Sequence, residues 1–319
     1  MFKIRDVVMP PDPGLADALT QALTRALAGL NRGDWPLRSP GPAAGRLPGT
    51  DDRPRPGHFH LVPELFVQVS GWTVFGFDTG TLRLSAGELL LVPPQWRHDE
   101  RVGDEAGAGV FGNAVVYAEG GRLDSHWARQ VSPGKPGIAH LVSASGPAAL
   151  QVEHWLQEAA RVPPGPWQET QRRALIAAAL AGVLAVLDQP AAPGAALDEP
   201  PWLPRVRVWL QNRLGDPTLS VRSLAQQVGC TPDHLSSVFR QHMGEPLAAH
   251  ITRLRMQRAV RLLEQGEGAG KAIAWACGYA SHSYFCRAFR HHHGCSPGEW
   301  AARAAAPASA APSSALGEV

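Results

Sequence analysis

The chain of 319 residues is poor in cysteine, with only Cys230, Cys277, Cys286 and Cys295, and no two of them stand in Cys-x-x-Cys spacing. That excludes a disulfide framework and leaves free thiols in a reducing, cytosolic compartment as the expected state. A structural zinc site built on Cys277, Cys295 and the run His291-His292-His293 is not expected either, because Cys277 falls at a core position of the repeat described below. Long apolar runs are also missing. None approaches the roughly 18 residues that span a bilayer, so no membrane partner is expected. The opening "MFKIRDVVMPPDP" has no continuous hydrophobic region and no small-residue cleavage site. A cytoplasmic protein is therefore expected. The net charge of +2 is small, but it is unevenly placed. From Trp202 to Trp300 there are twelve Lys or Arg against six Asp or Glu, with seven histidines besides. The rest of the chain is correspondingly acidic, and a basic unit beside an acidic one is the electrostatic footprint of a nucleic-acid binder.

What is present in that basic third is a pattern written twice. The first copy runs Leu224-Ala225, Val228-Gly229, Leu235, Phe239-Arg240, Gly244. The second runs Ile273-Ala274, Cys277-Gly278, Phe285, Phe289-Arg290, Gly294, with one extra residue in the turn and an offset of fifty thereafter. Each copy suits a helix-turn-helix: a short helix with small and aliphatic residues, a glycine for the sharp turn, then a second helix that buries one stripe. The stripes are Leu235, Val238, Phe239 and Phe285, Ala288, Phe289. The opposite faces carry His234, Ser236, Ser237, Arg240 and Gln241 in one copy, and Ser283, Cys286, Arg287, Arg290 and His291 in the other. Hydroxyls, imidazoles and guanidinium groups can reach base edges and phosphates. The plain alternative is a pair of ordinary helical hairpins, which would not require basic groups on both exposed faces.

The stretch "KAIAWACGYASHSYFCRAFRHHHGCSPGEW" resembles the signature of the AraC/XylS family of bacterial transcription regulators. The resemblance rests on Ile273-Ala274, Gly278-Tyr279, Ser283-Tyr284-Phe285, Arg287-Ala288-Phe289 and Gly294-Cys295-Ser296-Pro297, and covers residues 202–303. His291-His292-His293 departs from the Lys or Arg usual there. The resemblance implies two helix-turn-helix units joined by one long helix. On its own terms, 247–264 reads as an amphipathic helix of about five turns, with Leu247, Ile251, Leu254, Ala259, Leu262 and Leu263 apolar. Arg253, Arg255, Arg258 and Arg261 are set among them, and Arg253 and Arg258 are expected to touch DNA without sequence preference. A rigid connector would let one chain read two major-groove segments about 34 Å apart.

The N-terminal part reads differently. One helix is expected over 15–30, then a Pro/Gly-rich loop, "RSPGPAAGRLPGTDDRPRPG". Strands are expected in "ELFVQVSGW", "TVFGF", "TLRLSAG", "ELLLVPP" and "VFGNAVVYA", and helices over 150–187. The apolar stripe Ile176, Leu180, Val183, Leu184, Leu187 is either core or a homodimer seam. The expected organisation is α+β in two parts: 1–187 sensing and dimerisation, 188–201 a Pro/Ala-rich linker, 202–303 DNA binding, and 304–319 a disordered tail.

A second constellation lies among the strands. His58-x-His60, Glu64 and Gly71 precede Gly87, Pro93 and His98. This resembles the two motifs of the cupin superfamily of small β-barrels, with Gln95 where the second motif usually has glycine. Residues i and i+2 of a strand share a face, so His58 and His60 can point together and Glu64 has the same parity. His98 is expected from the strand ending at Pro93-Pro94. Three imidazoles and a carboxylate suit a divalent transition metal such as Zn, Fe, Mn or Ni. The same groups could instead hold an organic effector or bond one another. Trp72, Phe75, Phe77 and Trp96 are expected to form core and pocket lining. These expectations converge on a non-enzymatic regulator that binds double-stranded promoter DNA and senses a metal or small molecule. A homodimer and contact with RNA polymerase are what the family resemblance adds. The alternative is a metal-dependent, dioxygenase-like cupin enzyme fused to a DNA-binding module.

Overall fold

The structure is a computed structural model and describes residues 13–41, 57–104, 110–188, 199–266 and 270–305. Most of the Pro/Gly-rich loop, most of the linker and nearly all of the tail named above lie outside the described residues. The N-terminal part comprises α1 (Pro13–Arg32), β1 (Leu37–Arg38), β2 (Glu64–Ser70), β3 (Trp72–Phe77), β4 (Gly80–Ser85), β5 (Leu89–Val92), β6 (His98–Gly103), β7 (Gly112–Glu119), β8 (Arg122–Ser132), β9 (Lys135–Ser145), α2 (Pro147–Arg161) and α3 (Pro166–Leu187). The C-terminal part comprises α4 (Leu203–Arg213), α5 (Val221–Val228), α6 (Pro232–Met243), α7 (Leu247–Glu264), α8 (Gly270–Ala276), α9 (His282–His293) and α10 (Pro297–Ala305).

The strands form a six-stranded sheet in the order β1-β5-β2-β7-β8-β9 and a three-stranded sheet in the order β4-β3-β6. Strand β2 is buried from Glu64 to Gln68 without alternation, because its sheet is covered on both faces. Leu65 and Val67 join the core made with α1, α2 and α3. Phe66 points the other way and joins Phe75, Phe77 and Leu84 of the smaller sheet with Val115 and Tyr117. The chain crosses from β2 of the larger sheet to β3 of the smaller one at Gly71, whose φ of 67° favours glycine. A Cβ there would also collide with the carbonyl oxygen of Gly103.

Four strands, β1, β6, β8 and β9, lie where no strand was expected. On β8 the inward positions carry Asp124 and His126, both buried, and β9 is half-buried along nearly its whole length, so neither shows the apolar alternation that marks a half-buried strand. The apolar stripe of α3 is core. Ile176, Leu180 and Val183 are fully buried against α1 and α2, with Leu184 and Leu187 packed at the edge. By length and composition α3 could cross a membrane, although a single such helix is weak evidence of a span. The stripe thus offers no dimer seam. Leu180→Ala should cost about 2–5 kcal/mol, read as a lower denaturant midpoint, and Leu180→Asp should give misfolded protein. A soluble, fully folded Leu180→Asp monomer would restore the seam.

In the C-terminal part, α5 and α6 turn at Gly229 (φ 73°), and α8 and α9 turn at Gly278 (φ 78°). The caps repeat as well. Thr231 accepts the backbone N–H of His234 and Ser281 that of Tyr284, while Gly244 and Gly294 close the second helices in left-handed geometry. Helix α7 serves two cores. Its first half packs Leu247 and Ile251 against Leu224, Leu235 and Phe239. Its second half packs Met256, Ala259 and Leu262 against Ile273, Phe285 and Phe289.

Candidate nucleic-acid interface and metal centre

On α6 the residues opposite the core stripe are where helical spacing puts them. His234, Ser237, Arg240 and Gln241 are exposed and Ser236 is half-buried. Ser236, Ser237, Arg240 and Gln241 line an open groove of about 580 Å³ with Pro246. On α9 the residues Ser283, Arg287, Arg290 and His291 are exposed, and Cys286 is half-buried with its Sγ 3.5 Å from His282 Nε2. Tyr284, absent from the expected set, is 57% exposed and lies 6.0 Å from the Arg287 guanidinium. Its place in the Ser-Tyr-Phe signature could have flagged it.

The connector arginines depart from expectation. Arg258, expected to touch DNA, is buried and donates from Nη1 to the carbonyl oxygen and to Oε1 of Gln95, both at 2.8 Å. Arg255 is buried on the carbonyls of Leu214 and Asp216. Arg253 is held by Glu245 Oε1 at 2.9 Å. Only Arg261 of the four is exposed. Periodicity places a residue on a face but does not say which other element covers that face.

His58, His60, Glu64 and His98 do meet. One ligand atom from each of His58, His60, Glu64 and His98 lies within 4.8 Å of all the others. Three of the four are almost wholly buried. His98 does not come from the strand ending at Pro93-Pro94. It opens β6 and forms an isolated antiparallel bridge with His58. The chain turns between Val92 and His98 through Gln95, whose φ of 68° makes it the one non-glycine with positive φ among the described residues. Glu100 shares the parity of His98 and brings Oε1 to 3.8 Å from His98 Nε2 and 3.9 Å from His58 Nε2. It was missed, having no place in either motif.

The ring nitrogens are set for lone-pair donation. His98 Nδ1 faces the Trp96 carbonyl at 3.1 Å, so Nδ1 carries the hydrogen and Nε2 is left bare. Glu64 Oε2 lies 3.2 Å from His60 Nε2 and 3.5 Å from His98 Nε2. Neither contact has hydrogen-bond geometry, and all three atoms are buried without a hydrogen-bond partner. Burial pushes His98 down to about 4. It also pushes His58 and His60 well down, with the neighbouring imidazoles adding to the effect. Burial raises Glu64, reinforced by Glu100, and Glu100 itself rises to about 7. Neutral imidazoles beside carboxylates that lack a cation form a donor set a divalent ion would satisfy.

The helix-turn-helix domain family matches residues 224–303. Among curated relatives, the uncharacterized HTH-type transcriptional regulator YpdC of Escherichia coli K12 is 36% identical over 95 residues, 30% of this chain and 33% of the relative. The uncharacterized HTH-type transcriptional regulator YijO of the same organism is 28% identical over 250 residues, 75% of this chain and 80% of the relative. A solved DNA-binding transcriptional dual regulator from Escherichia coli K-12 is 29% identical, with a TM-score of 0.29, over 35% of this chain and 98% of that one. The match to the first four relatives spans about a quarter to a third of their length. These relatives are named as transcriptional regulators, and an enzymatic reading is not favoured. Residues 224–303 of this chain therefore form a helix-turn-helix domain similar to those of transcriptional regulators.

Proposed function

We propose that the protein is a cytoplasmic, sequence-specific transcription regulator of the AraC type. One observation carries this: two helix pairs with matching turns and caps share α7 and expose Ser, Arg and His faces. In this reading both pairs are helix-turn-helix units. The groups that meet double-stranded promoter DNA are His234, Ser236, Ser237, Arg240 and Gln241 on α6, with Ser283, Arg287, Arg290 and His291 on α9. A homodimer and contact with RNA polymerase follow from the family resemblance. On a duplex selected from a randomised library, the full chain should protect two major-groove segments about 34 Å apart per chain. Affinity should fall steeply with salt as counterions are released. A single protected groove per chain would remove the two-headed reading.

The N-terminal sheets are read as a cupin-like sensor. His58, His60, Glu64 and His98 would hold one divalent transition metal, with Zn, Fe, Mn and Ni all compatible with nitrogen and oxygen donors. The fit rests on three orphaned buried atoms, His60 Nε2, His98 Nε2 and Glu64 Oε2, converging in a site that supplies no cation of its own. A bound organic effector is the second reading. The unpartnered Tyr117 hydroxyl and His126 Nδ1 favour it, since both line the same interior, next to His60.

A further inference from the structure

The segment His58-Phe59-His60 faces two ways. His58 and His60 turn toward the cluster, with ring centroids 4.4 and 5.9 Å from that of His98. Phe59, between them, points out of it and packs on Leu214 at the end of α4 and on Leu254 of α7. The Arg258 guanidinium stacks 4.1 Å from the Phe59 ring centroid and binds Gln95 through both its carbonyl and its side chain. Gln95 in turn donates its backbone N–H to the His60 carbonyl at 2.6 Å. From the other side, α4 inserts Val208 into the core between the sheets. Its Gln211, bonded to Glu119 at 3.2 Å, faces His60. Arg207, one turn away on α4, is buried on Asp124, Glu199 and Ser143.

We infer that the His58–His60–Glu64–His98 site is composite: Gln95, Arg258 and Phe59 tie it to α7, so that filling it and positioning the two recognition helices are one equilibrium. The inference rests on the metal reading of the site. Three features support the link. Arg258 is 4% exposed, so its guanidinium meets protein groups, Gln95 among them, more than water, and an altered geometry would be costly. Gln95 holds a backbone conformation that suits glycine, and its side chain is an acceptor for that guanidinium. Most of all, α7 contributes to both helix-pair cores, so a displacement at Arg258 is felt by both. Arg258 and Gln95 are positioning residues. They touch neither the ion nor DNA.

The test uses the full chain, stripped with a chelator and then titrated with Zn(II), and a duplex selected from a randomised library by the wild type. The ratio of duplex Kd with and without Zn(II) should differ from one by at least about fivefold, a usual size for coupling between sites. By linkage, the duplex should shift Zn(II) affinity by the same factor. In Gln95→Gly, which relieves the positive φ and keeps the backbone carbonyl, the ratio should move toward one while one Zn(II) per chain is still bound. Arg258→Lys keeps the charge but loses the planar fork, and should do the same. Melting curves identify any variant that has unfolded, and Gln95→Gly is not expected to. A wild-type chain that binds Zn(II) with a ratio of one overturns the coupling and leaves the metal site standing. Both variants keeping the wild-type ratio also overturns it. A chain that takes up no Zn(II) overturns the metal reading, and the coupling with it.

Discussion

Stripping the full chain with a chelator should lower its melting temperature, and one equivalent of a divalent transition ion should restore it. An ion that binds the folded state alone stabilises it by about 2.7 kcal/mol when free ion stands at a hundred times its Kd. For folding units of 150–250 residues that is on the order of 5–10 °C. The warrant is the convergence of four donors within 4.8 Å, with the His98 ring oriented by the Trp96 carbonyl. His98→Ala should abolish the ion-dependent part of the shift. It will also lower the baseline, since it removes the Trp96 contact and leaves a cavity in a buried site. Ion dependence, not baseline stability, is therefore the decisive quantity. Elemental analysis that finds no stoichiometric metal in carefully purified protein, together with no thermal response to added ions, would sink this expectation. The organic-effector reading would then be taken up by ligand screening.

The second large effect is expected on DNA. Arg287→Ala and Arg240→Ala should each weaken binding to the preferred duplex by about 1–3 kcal/mol if the guanidinium makes a bidentate guanine contact. The loss should be confined to one base position. Both side chains are exposed on the second helix of their pair, next to but outside the buried positions Phe239 and Phe289. Arg261, exposed on α7, is the contrasting case. Its replacement should weaken all sequences alike and reduce the salt slope by about one if it meets a phosphate. Selection on randomised duplexes separates the two patterns. Unchanged base preferences in both Arg240→Ala and Arg287→Ala would mean that the reading faces are misassigned.

The helical third was legible because its determinants are local. Gly229 and Gly278 mark the turns, Thr231 and Ser281 the caps, and Phe239 and Phe289 the buried stripes. Each acts within one or two helical turns of itself. The four cupin-motif residues were legible as a set, although His98 enters from β6 and Glu100 belongs to the same cluster without belonging to a motif. Strands β1, β6, β8 and β9 were not legible. Asp124 and His126 are polar side chains on inward positions, and only the assembled sheets make an interior for them.

What the sequence by itself determined was the helices of the N-terminal part, the strands β2, β3, β4, β5 and β7, the connector α7, and the repeated helix pairs of a helix-turn-helix domain. Those outcomes depend on spacing, caps and glycines, which act over a few residues. Only the tertiary structure decided that the α3 stripe is core, that Arg258 turns away from any DNA face to grip Gln95, and that Phe59 bridges the buried cluster to α7. Arg258 and Gln95 are 163 positions apart, and no local pattern couples residues so distant. Their meeting depends on how the two parts pack, where burying a guanidinium requires a partner that supplies acceptors water no longer provides.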